Sequence, residues 1–125
     1  STLIGASIPV IMRHGSTEVN VALTQLDLQR TVDRAPVLAF VIERTGNQSV
    51  YGDLTVSFIP YNGSEQVIKR ANGIAVYTPN ALRRVSLSLK QSNDPRLING
   101  ALRVTYREQA EDGGALLSEA VLQLP

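Results

Sequence analysis

The sequence predicts an all-β, immunoglobulin-like antiparallel β-sandwich of about seven to nine strands. Three observations carry this. Apolar residues recur with a period of two along most of the chain. Clusters of Gly, Asn, Asp and Pro interrupt that pattern at short intervals. The best helical stretch, Asn80-Ala81-Leu82-Arg83 after Pro79, is one turn at most.

The elements follow in order. The first is the apolar run Ala6-Ser7-Ile8-Pro9-Val10-Ile11-Met12. Pro9 has no backbone N–H, so this strand is expected at a sheet edge. The second covers residues 17–28, where Val19, Val21 and Leu23 give way to Leu26 and Leu28. Parity changes near Thr24-Gln25, which predicts a bulge or a change of sheet. In residues 36–44, Leu38, Phe40 and Ile42 alternate with Val37, Ala39 and Val41. In residues 50–60, Leu54, Val56 and Phe58 alternate with Asp53, Thr55 and Ser57. Two short strands are expected at 66–70 and 74–78, split by Ala71-Asn72-Gly73. Val85, Leu87 and Leu89 mark a strand at 83–90, and Leu102, Val104 and Tyr106 one at 100–108. Ala120, Leu122 and Leu124 mark the last, at 115–124. Each segment has one apolar and one mostly polar face, the pattern of half-buried strands.

The breaks have a mechanism. Thr45-Gly46-Asn47, Asn62-Gly63, Asn93-Asp94-Pro95, Asn99-Gly100 and Asp112-Gly113-Gly114 hold residues that reach positive φ cheaply or fix φ. The reading is an N-terminal strand or linker over 1–16 and one sandwich domain over 17–125.

Composition bounds the function. The chain has 125 residues, one typical domain, with 43% hydrophobic and 18% charged residues, enough for a packed core. Twelve Lys and Arg stand against 11 Asp and Glu, a net charge of +1, which argues against a dedicated nucleic-acid binder. There is no Cys, so neither a disulfide nor a thiolate metal site can form. No apolar run approaches the roughly 18 residues of a membrane-spanning helix. The chain opens on Ser1 rather than Met, which is expected of a processed chain or a piece of a longer one.

Catalytic constellations are not apparent. His14 is the only histidine, in Arg13-His14-Gly15 at a strand end, and is expected to be a solvated loop residue. Asp27, Asp33, Asp53 and Asp94 are scattered near strand ends, and Glu111-Asp112 lies in a Gly-rich turn, without calcium-loop spacing. No phosphate-binding Gly loop is present. Asn47-Gln48-Ser49 and Asn62-Gly63-Ser64 match the glycosylation triplet, which is common in polar turns. Lys69-Arg70 and Arg83-Arg84 are expected to keep exposed faces soluble and to guard edge strands against mispairing. The expectation is therefore no enzyme, no cofactor and no metal.

The first strand carries the one candidate binding site. An edge strand with Ile8, Val10 and Met12 on one face can accept a strand from a partner. Ser7-Ile8-Pro9-Val10-Ile11-Met12-Arg13 resembles the segment ending the first domain of periplasmic pilus-assembly chaperones, a family with two immunoglobulin-like domains. The rest, through the Gly46-Asn47 turn to a closing hairpin over 100–124, resembles the second domain of that family. The resemblance implies donor-strand complementation, a pilus or fimbrial subunit as partner, and a periplasmic or secreted, cell-surface location. The family's subunit-anchoring basic residues lie mainly in its first domain, and Arg13 matches none of them by motif. A structural spacer domain of a larger surface protein is the alternative, and a carbohydrate- or calcium-binding sandwich a third.

Overall fold

Among the described residues, eight strands follow one another along the chain: β1 (Gly5–His14), β2 (Thr17–Thr31), β3 (Arg34–Gly46), β4 (Val50–Pro60), β5 (Gln66–Val76), β6 (Leu82–Ser88), β7 (Gly100–Arg107) and β8 (Leu116–Gln123). The computed structural model describes residues 5–14, 17–31, 34–89 and 97–125, with side chains described from Val19 onward except at 31 and 34. Among the described residues the only helical element is a 3-10 turn, Ala110–Asp112, between β7 and β8.

All described pairings are antiparallel. One sheet runs β5-β4-β7-β8 and the other β2-β3-β6, and β1 joins them into a continuous order. The chain forms hairpins β2–β3, β4–β5 and β7–β8, and crosses between sheets after β3, β5 and β6. This is the antiparallel all-β sandwich that the alternation predicted.

The inward faces are those read from the period of two. Leu38, Phe40 and Ile42, then Leu54, Val56 and Phe58, are all buried. So are Val85, Leu87 and Leu89, Leu102, Val104 and Tyr106, and Ala120, Leu122 and Leu124. They form one cluster with Val19, Val21, Leu23 and Leu28 of β2. Each large aliphatic side chain buried this way stabilises the fold by about 1.5–3 kcal/mol relative to exposure.

The parity change in β2 is a bulge. Register shifts between Thr24 and Asp27, and Gln25 takes φ 57°. The inserted residue returns Leu28 to the core side after Leu23.

Three local expectations change. The strands expected at 66–70 and 74–78 are one strand, Gln66–Val76. Ala71-Asn72-Gly73 is a bulge inside it, with register shifting between Gly52 and Leu54 of β4. Gly73 has φ +71°, and its N–H donates to Asp53 Oδ1 at 2.9 Å. A Cβ there would stand 2.9 Å from the Tyr51 hydroxyl. The helical turn expected at Asn80–Arg83 is absent, because Leu82 and Arg83 already pair with Glu43 and Ile42 of β3. The turn at Asp112-Gly113-Gly114 is preceded by the 3-10 segment, and Gly113 and Gly114 both take positive φ. Asn93-Asp94-Pro95 lies outside the described residues.

Candidate functional site

β1 divides its pairing between the two sheets. Gly5 to Pro9 pair with Leu122 to Ser118 of β8, and Val10 to His14 pair with Val21 to Thr17 of β2. Among the described residues of β1, none pairs on both sides. Each half is therefore the margin of one sheet. The change falls at Pro9, which lacks the N–H a continuing ladder would use.

The three predicted site residues do not share one ladder. Ile8 stands opposite Glu119 in the first sheet. Val10 and Met12 stand opposite Val21 and Val19 in the second. Their side chains lie outside the described ones. The expectation of a single edge thus becomes two short edges meeting at residue 9. Within the segment 1–16, expected as strand or linker, Gly5–His14 is a strand that pairs with β8 and β2.

The other sheet margins are β5 and β6. Lys69-Arg70 lies on β5 and Arg83-Arg84 on β6, where charge obstructs a further strand. Arg83 also donates from Nη1 to the Ala75 carbonyl at 2.9 Å, tying one margin to the other. β1 differs, since Gly5 through Met12 contain no charged residue.

Of the remaining titratable candidates, Asp53 and Asp27 take structural roles. Asp53 accepts hydrogen bonds from Gly73 N–H at 2.9 Å and Gln109 Nε2 at 3.3 Å. Asp27 accepts from Gln29 at 3.4 Å. His14 stands opposite Thr17 at the end of β1, with its side chain outside the described ones. Asp33 and Asp94 fall outside the described residues as well. Arg103 Nη1 lies 3.1 Å from Glu65, and its Nε lies 3.0 Å from Glu119 as a close charge pair rather than an aligned hydrogen bond. Among the described residues, no three His, Asp or Glu side chains gather as metal ligands. No helix there is long and apolar enough to cross a membrane.

The end of the sandwich where β3 leads into β4 holds features that the sequence pattern missed. Arg44 is 4% exposed. Its guanidinium donates to three backbone carbonyls: Asn80 at 3.0 Å, Gly46 at 2.8 Å and Gln48 at 3.0 Å. Its own N–H donates to the Ala81 carbonyl at 2.7 Å. The corner after β5, which contains a cis Thr78-Pro79 bond, is thereby fixed to β3 and to the β3–β4 turn. Thr78 N–H adds a bond to Ser49 Oγ at 2.8 Å, and Asn80 N–H closes the corner onto Tyr77 O at 2.8 Å.

Beside this corner lies a cleft of about 330 Å³ lined by Val19, Gln48, Ser49, Val50, Tyr51, Glu108, Asp112 and Leu117. The acidic signal was visible at Glu111-Asp112. The partners of that signal come from β2, β4 and β8, and only the fold assembles them.

No protein-family model, curated protein or solved structure matches this chain.

Proposed function

We propose that the chain is a protein-binding β-sandwich module of the pilus-assembly chaperone kind, which adds a partner's extended strand at the margin formed by β1. The supporting observation is that each half of β1 pairs on one side only, and that Gly5 through Met12 hold no charged residue. Strand addition needs an unpaired backbone edge for main-chain bonds and alternating side chains for register. On this reading the partner is a pilus or fimbrial subunit, the setting is periplasmic or cell-surface, and binding rather than catalysis is the task. A partner strand would extend a ladder without breaking the existing one.

The test replaces Ile8, Val10 and Met12 with Ser, together and separately, and measures retention of a pilus subunit or its strand peptide by the folded variants. Loss of retention in the triple variant is expected. Losses confined to Ile8→Ser assign the partner to the first sheet, and losses confined to the other two assign it to the second. Unchanged retention in a folded triple variant would sink the proposal. It would favour the spacer reading, which the basic pairs on β5 and β6 also suit, since a spacer must resist edge pairing.

A further inference from the structure

We propose that the cleft between β4 and the β7–β8 connection, with Tyr77 beside it, docks a basic side chain of a partner protein, Lys or Arg followed by an apolar residue. The ligand class follows from the lining. Glu108 and Asp112 both face this cleft, and neither is in an ion pair among the described residues. Two uncompensated carboxylates repel phosphates and anionic lipid surfaces and attract a cation. Val19, Val50 and Leu117 supply apolar wall, which suits the aliphatic stem of a long basic side chain. Tyr51, 41% exposed, offers an aromatic face of the kind that attracts ammonium and guanidinium groups.

A separate observation marks the site as incomplete. Gln48 lines the cleft, and its Oε1 is buried with no hydrogen-bond partner. A buried acceptor without a donor is costly, and an amide's terminal torsion is soft. Rotation about that torsion turns the oxygen to an entering N–H donor. A cleft of about 330 Å³ has room for one long side chain.

The apolar half of the match is Tyr77, 65% exposed. It is continuous with the cleft through Ser49, which lines the cleft and accepts from Thr78 N–H at 2.8 Å. The Arg44 bonds hold this corner, so Tyr77 is presented on a fixed backbone. Exposed aromatics held this way carry a large share of binding energy at protein interfaces. The site is independent of strand addition at β1, and either can fail alone.

The probe is the peptide acetyl-Leu-Arg-Leu-amide, titrated into the isotope-labelled chain and followed by amide chemical shifts, with acetyl-Leu-Glu-Leu-amide as control. Shifts are expected at Ser49, Tyr51, Thr78 and Glu108 to Gly113 with the arginine peptide alone. Glu108→Gln with Asp112→Asn should weaken binding about ten-fold, and Tyr77→Ala several-fold, with the spectra reporting that the variants are folded. On the unaltered chain, high salt should weaken binding similarly, which covers a variant that does not fold. Polar replacement of Ile8, Val10 and Met12 should leave these shifts in place. Absence of shifts at these amides, equal shifts with the glutamate peptide, or affinity indifferent to both the carboxylates and salt would overturn the proposal.

Discussion

Tyr106 has no exposed surface, and its hydroxyl donates to the Ile74 carbonyl at 2.6 Å. Burial pushes its phenol well above the ordinary value of 10.0; Arg83 partly opposes this and Asp53 adds to it. A raised pKa means that the folded chain holds the proton more tightly than the unfolded one. The associated stability is complete below about pH 10 and is lost as pH climbs from there toward the folded value. Tyr106→Phe is expected to cost about 1–2 kcal/mol near neutrality, since Ile74 loses its donor. Above about pH 10 the gap from the parent chain should narrow, because the variant has no phenol to ionise. Urea unfolding of both chains at about pH 8 and about pH 11 checks the sign. The sequence places Tyr106 correctly on the inward face as part of the Leu102-Val104-Tyr106 alternation. Its acceptor was not legible, because Ile74 is 32 residues away and is brought close only by pairing through β4.

At the scale of elements, one cation from β3, Arg44, ties the corner after β5 to the β3–β4 turn. Replacing Arg44 with Met keeps much of the volume and removes the donors to Asn80, Gly46 and Gln48. The expected loss is about 2–4 kcal/mol in urea unfolding. Hydrogen exchange should rise first at Thr78 and Asn80, ahead of the core strands. Exchange that rises uniformly would show that the corner has no separate stability. Strand faces were legible because burial imposes a strict period, and the β2 bulge was legible because it breaks that period at Thr24 to Leu28. The β5 bulge was not. Ala71-Asn72-Gly73 has the chemistry of a turn, and only the neighbouring β4, with Asp53 receiving the Gly73 N–H, keeps the strand running. The helix expected at Asn80–Arg83 fails for the same reason, since pairing with β3 outweighs a weak local preference.

For the whole molecule, β1 is the strand that makes two sheets into one continuous order. Removing residues 1–14 would strip β8 and β2 of one neighbour each. The shortened chain is expected to unfold at lower urea and to associate as concentration rises, because two unguarded margins appear at once. Size-exclusion chromatography with light scattering over a concentration series checks this, and a monomer as stable as the parent would contradict it. The edge character of β1 could be read from Pro9 alone. Its division between sheets could not, since it depends on where Glu119 and Val21 stand in the folded chain. The cleft at the β3–β4 end was equally hidden, because its walls come from positions as distant as Val19 and Leu117.

The division of β1 also sets how the domain answers a mechanical load. Gly5 stands opposite Leu122, so residue 5 and the end of β8 lie side by side. Tension pulling these two points apart peels β1 from β8 like a zipper, opening one pair after another rather than shearing the ladder all at once. The first yield therefore comes at low force and stops near Pro9, where pairing passes to β2. The β2-β3-β6 and β5-β4-β7-β8 ladders stay intact behind it. A pull along this axis would free a short strand while sparing the folded body that holds it.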